Sequence, residues 1–118
     1  MAGLYAGICH YNLGDYESAV KYLKKYKADD LNIAPAAAMK TGDALVEMGD
    51  TKQAIHYFEK AANSNNEILA PIALKKAGIA YLSLDDKKAA HKAFVKIQKD
   101  FPQSSEAQDI DKYIAISE

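Results

Sequence analysis

The sequence predicts an all-α fold, a solenoid of antiparallel helix pairs closed by a C-terminal capping helix. Three observations predict it. Gly7, Gly42 and Gly78 recur at spacings of 35 and 36 residues, and so do Ala19, Ala54 and Ala90. Leu23, Phe58 and Phe94 form a third column, and Leu13, Met48 and Leu84 a fourth. Within each copy the apolar residues fall at three- and four-residue spacings, the period of a helix with one buried stripe. A period of this length marks a solenoid, in which each unit buries its apolar face only against its neighbours.

The middle copy, residues 35–66, shows the plan of a unit most clearly. Pro35 fits the first turn of a helix, where the amides lack partners anyway. Ala38, Leu45, Val46 and Met48 then run at helical spacing to Gly49, which can take the left-handed conformation that ends a helix. Asp50 or Thr51 caps a second helix carrying Ala54, Ile55, Phe58, Ala61 and Ala62. A helix of about 15 residues is marginal alone in water, so each needs the other and the adjoining unit. The recurring glycine lies inside the first helix, where it costs about 1 kcal/mol against alanine. Met three times at one place, that cost points to a close helix crossing, with Ala19, Ala54 and Ala90 expected as its other half.

The first copy, residues 1–31, begins in mid-helix with no proline or cap ahead of Gly7. The expectation is a C-terminal fragment begun at an artificial Met1, with further repeats or an anchor before it. Its second helix should run from Asp15 to Lys27 with Ala19, Val20, Leu23 and Tyr26 inward. Lys21, Lys24, Lys25 and Lys27 near its end complement the helix dipole. Residues 29–34 and 63–70 are the loops between copies.

The third copy, residues 71–102, places Leu74, Ala77, Tyr81, Leu82 and Leu84 in its first helix and Ala89, Ala90, Phe94 and Ile97 in its second. Lys87, Lys88, Lys92, Lys96 and Lys99 read as spread round that second helix, forming no basic stripe interleaved with aromatics. Pro102 stops it. Ser104 or Ser105 then caps a last helix, 104–116, polar at Glu106, Asp109, Asp111 and Lys112 and apolar at Ala107, Ile110, Tyr113 and Ile114.

With 118 residues, 49% hydrophobic and 26% charged, the chain has the composition of one ordinary globular domain. No apolar run approaches the about 20 residues of a membrane span, and no signal peptide is visible. A net charge of -1 makes the chain as a whole a poor nucleic-acid binder. Cys9 reads as a small buried hydrophobe and His10 as a partly buried packing residue. No two of His10, His56, His91 and Cys9 stand at a metal-binding spacing. Asp29-Asp30 and Asp85-Asp86 fall at helix boundaries, where capping accounts for them. No catalytic residues, metal site or cofactor are expected.

On its glycine, alanine and aromatic columns, and on the turns Gly14-Asp15-Tyr16 and Gly49-Asp50-Thr51, the chain resembles the tetratricopeptide repeat family. It departs at Asp85-Asp86-Lys87, which lacks the turn glycine, and in having no tryptophan. The resemblance implies a right-handed superhelix whose first helices line a concave groove that receives a peptide or helix of a protein partner. Residue by residue, that groove would be Leu4, Ile8, Tyr11 and Asn12, then Met39, Lys40, Asp43, Val46 and Glu47, then Ile72, Lys75, Lys76, Ile79, Leu82 and Ser83. Leu4, Ile8 and Asp43 stand where the family's clamp for acidic chaperone tails would have asparagine or lysine, so that ligand is not expected. The alternative is an oligomerisation module whose apolar face is its own interface, a homo-oligomer. The ending FPQSSEAQDIDKYI is similar to repeats of bacterial envelope proteins of this family and favours that source and an envelope location. No nucleic-acid partner and no insertion of this segment into a membrane are expected.

Overall fold

The computed structural model describes residues 2–24 and 33–118, with side chains from Ala6 and from Ala34 onward in these two stretches. Every regular element among them is helical: α1 (Ala2–Asn12), α2 (Tyr16–Lys24), α3 (Ile33–Glu47), α4 (Thr51–Ala62), α5 (Leu69–Ser83), α6 (Lys87–Asp100) and α7 (Ile110–Ile116), the last preceded by a 3₁₀ turn at Ser105–Asp109. Tyr26, Lys25, Lys27, Asp29 and Asp30 lie outside the described residues, as does most of the first loop.

Each helix packs on the next along the chain, and α3 also touches both α1 and α5. The second helices α2, α4 and α6 make no such contacts among themselves. The first helices therefore line the inner, concave side and the second helices the outer, convex side.

One turn chemistry is used three times. The amides of Gly14, Gly49 and Asp85 donate to Tyr11, Val46 and Leu82, and those of Asp15, Asp50 and Asp86 reach back to His10, Leu45 and Tyr81. This is the paired closure of a helix end that needs a left-handed residue. Gly14 and Gly49 supply it at φ of 80° and 84°, and Asp85 takes the same conformation at 63° in the copy that lacks the glycine. The next aspartate then starts the following helix. Asp15, Asp50 and Asp86 accept through Oδ1 from the amides of Ser18, Gln53 and Ala89. For Asp15 these Ser18 bonds, with His10 nearby, hold the carboxyl below its usual range.

Pro35 and Pro71 are each the third residue of their helix, so α3 and α5 start two residues earlier than the prolines suggest. Asn66 provides the start of α5, its Oδ1 accepting from Ile68 and Leu69. At the C-terminal end Ser104 caps as expected, its hydroxyl accepting from Ala107, but the segment turns as a 3₁₀ helix before α7. α7 is held through Ile110, which is buried, the Phe94 and Tyr113 rings, and Ser117 against His91.

The core is small-residue rich, with Ala19, Ala44, Ala54, Ala61, Ala73 and Ala90 all fully buried. The glycines do face the second helices, but not through the alanine column. A methyl placed on Gly42 would lie 2.5, 2.7 and 2.9 Å from three consecutive atoms of the Phe58 ring. On Gly78 it would meet Phe94 at 2.4 Å, and on Gly7 it would meet Leu23 at 2.4 Å. Three neighbouring ring atoms at nearly equal range put the glycine over the ring face. The glycine column thus makes room for the large column.

Three other expectations change. Val46 and Met48 are exposed, as are Leu13 and Leu84, because the last turn of each first helix overhangs the pair. Cys9 is exposed. Its counterparts Ala44 and Ala80 are buried by the helix pair before them, whereas among the described residues α1 packs only on α2 and α3. Lys88, Lys92, Lys96 and Lys99 are not spread round α6: at 3.6 residues per turn they fall within an arc of about 80°.

Adjacent units are also joined by the Tyr81 hydroxyl, which donates to Glu59. Burial first, then this carboxylate, pushes the Tyr81 phenol from 10.0 up to about 12.

Two results are expected. Gly42→Ala, which in an open helix would stabilise by about 1 kcal/mol, should instead destabilise by about 1–3 kcal/mol in denaturant unfolding by forcing the Phe58 ring off its seat. A gain would refute the seat. Between about pH 10 and about 12 the unfolded chain gives up a Tyr81 proton that the folded chain keeps, so stability should fall as pH rises through that window. Tyr81→Phe should flatten that fall, and identical pH slopes would remove Tyr81 as its source.

Candidate protein-binding groove

The concave side carries a cleft of about 370 Å³ that crosses all three first helices. Tyr11 comes from α1, Asp43, Val46 and Glu47 from α3, and Lys76, Ile79 and Ser83 from α5, with Phe58 of α4 beneath. Phe58 reaches the cleft because no side chain on Gly42 stands in its way. Val46 is 40% exposed and Ile79 45%, two branched aliphatic residues on neighbouring helices with no core to enter.

The charges round them are largely spoken for. Lys76 Nζ lies 2.9 Å from Asp43 Oδ1, an ion pair between adjacent units. Lys40 sits over the Tyr11 ring at 4.0 Å from its centroid. Such contacts at partly exposed sites contribute up to about 1 kcal/mol each. Burial, and then the nearby Asp43 and Glu47, raise the Tyr11 phenol above its usual range. Glu47 is in no ion pair among the described residues. The cleft therefore offers apolar surface and an aromatic ring, bordered by charges that neutralise one another and by one free carboxylate.

Of the residues expected in the groove, Tyr11, Asp43, Val46, Glu47, Lys76, Ile79 and Ser83 line this cleft, with Lys40 on the Tyr11 ring. Ile8 is half-buried and packs on the core beside Tyr11. Met39 is 9% exposed and belongs to the core with Ala38, Ala61 and Leu74, and Leu82 packs against that same cluster. Lys75 is turned to the capping segment, 3.3 Å from Asp109 and over the Tyr113 ring. Ile72 lines a separate cleft with Ile68, Phe101 and Pro102. The Leu4 side chain lies outside the described residues. Phe58, Thr51 and Ala80 also line it and stand outside the expected groove. The glycine facing Phe58 was the signal that could have found the ring.

Among the described residues no three His, Cys, Asp or Glu side chains are gathered as a metal would need, and no helix is long and apolar enough to cross a membrane.

Comparison with known proteins agrees with this architecture. Residues 39–105 match a tetratricopeptide repeat family model, and residues 1–30 match a second tetratricopeptide repeat model. A search of curated proteins finds no match. Repeats of this kind generally mediate protein–protein interactions. With the matched regions spanning both the glycine and the aromatic columns, the chain belongs to the tetratricopeptide repeat family.

Proposed function

We propose that this chain is a non-enzymatic interaction scaffold that docks a peptide or helix of a partner protein in the concave cleft. The observation that carries the reading is the pair Val46 and Ile79, exposed side by side where the surrounding lysines are already paired. An incoming apolar side chain would cover both at about 25 cal/mol per Å² of apolar surface removed from water. It would break no ion pair in doing so. Tyr11 adds a flat ring with few rotamers to freeze, and helices held by their neighbours need little ordering when the partner arrives. An apolar or amphipathic segment fits this surface, whereas a highly charged one would find most counter-charges already taken.

The test compares the wild type with Val46→Glu/Ile79→Glu in a pull-down from a lysate of the source organism, after circular dichroism shows equal helicity. A protein captured by the wild type and lost from the variant is the expected result. Capture of the same proteins by both would remove the cleft as the site. A wild-type dimer in size-exclusion chromatography that the variant converts to a monomer would make the surface a self-contact.

A further inference from the structure

The convex side is electrically unlike the rest of the molecule. Helices α4 and α6 together hold seven lysines and two carboxylates, Glu59 and Asp100, in a chain whose net charge is -1. Glu59 is occupied by the Tyr81 hydroxyl. Lys88, Lys92, Lys96 and Lys99 form one exposed row along α6, and Lys52 and Lys60 of α4 stand at the repeat positions of Lys88 and Lys96. None of these six has a carboxylate within ion-pair distance among the described residues. On the concave side, by contrast, Lys75 and Lys76 are paired with Asp109 and Asp43. Like charges four residues apart weaken a helix, so the row is a strain on the folded chain that an outside counter-charge would relieve.

Between α4 and α6 lies a cleft of about 360 Å³. Leu74, Ala77, Ala89 and Ala93 give it an apolar bed, Lys92 and Lys96 stand on its α6 side, and on its α4 side the Glu59 carboxylate is held by the Tyr81 hydroxyl. The bed discriminates among anions. A phosphate backbone or a lipid headgroup has nothing apolar to place there. The chain also contains no arginine for bidentate phosphate contacts, and the rings near the cleft are engaged, Tyr81 with Glu59 and Tyr57 of α4 with Lys24. Small side chains in the bed let a helix come close.

We propose that the convex cleft between α4 and α6 docks an acidic amphipathic segment of a partner protein, its apolar side on the alanine bed and its carboxylates on Lys92, Lys96 and their neighbours. This site is separate from the concave one, so either can fail alone.

Fluorescence anisotropy with a labelled peptide carrying leucines on one helical face and glutamates on the other tests it. The peptide should bind the full chain, and Lys92→Glu/Lys96→Glu should weaken it by about tenfold or more, as loss of two charge-assisted contacts implies. Ala93→Leu, which fills the bed and leaves the charge alone, should also weaken it, while Val46→Glu/Ile79→Glu should not. All five substituted positions are at least partly exposed, so helicity should be retained. Unchanged affinity in the lysine variant, equal binding of a lysine-for-glutamate peptide, or tighter binding of duplex DNA or phosphatidylserine vesicles than of the acidic peptide would overturn the proposal. So would self-association that the lysine variant abolishes, since the occupant would then be a second copy.

Discussion

The structure depends on a contact between a missing side chain and a large one. In each unit a glycine in the first helix leaves its backbone bare, and the large residue of the second helix lies against it: Leu23 on Gly7, Phe58 on Gly42 and Phe94 on Gly78. The ring can then be fully buried, 2% and 0% exposed for Phe58 and Phe94, in a core whose other members are mostly alanines. With so many small residues, the large column supplies much of the apolar area that a solenoid of this size has to bury. Its seating fixes the separation of the two helices in a pair. That in turn fixes where the first helices stand relative to one another on the concave side.

The turns make the pair repeatable. One left-handed residue closes the first helix, and the aspartate after it both completes that closure and caps the second helix. Gly14, Gly49 and Asp85 show that the conformation, and not the glycine, is what the turn requires, since aspartate tolerates the left-handed region better than most side chains. Because the turn has the same form three times, equivalent positions of successive units align into columns. The concave cleft and the convex lysine row both follow from the stacking of the units: Val46 and Ile79 line one cleft, and Lys60 and Lys96 stand at equivalent positions of α4 and α6.

Much of this was legible in the sequence because columns at a fixed period survive any error in helix boundaries. The pairing of helices, the capping aspartates and the capping segment all followed from them. What the columns could not say was which of two residues on one face meets the glycine. Ala54 and Phe58 are four apart and point the same way, and only the geometry shows the ring on Gly42. The same limit applies to the groove. Tyr11, Asp43, Val46 and Ile79 line one cleft, but Met39 and Leu82 differ from cleft residues by a modest rotation about the helix that turns them into the core. Lys75 is drawn away by Asp109 of the capping segment, a contact between residues 34 apart that no repeat column encodes. The lysine row is visible only on the helix surface, where 3.6 residues per turn bring residues 88, 92, 96 and 99 to one side of α6. Cys9 was misread because its burial depends on what covers α1, and not on its own chemistry.

The most direct test of the account is a proton NMR assignment of Gly7, Gly14, Gly42, Gly49 and Gly78. An α-proton held over an aromatic face is shielded, so Gly42 and Gly78 should resonate well upfield of Gly14 and Gly49. Gly7, which faces Leu23, should not share that displacement. Ordinary chemical shifts for Gly42 and Gly78 would mean that the rings do not sit on the glycines, and the packing scheme on which both faces depend would have to be abandoned.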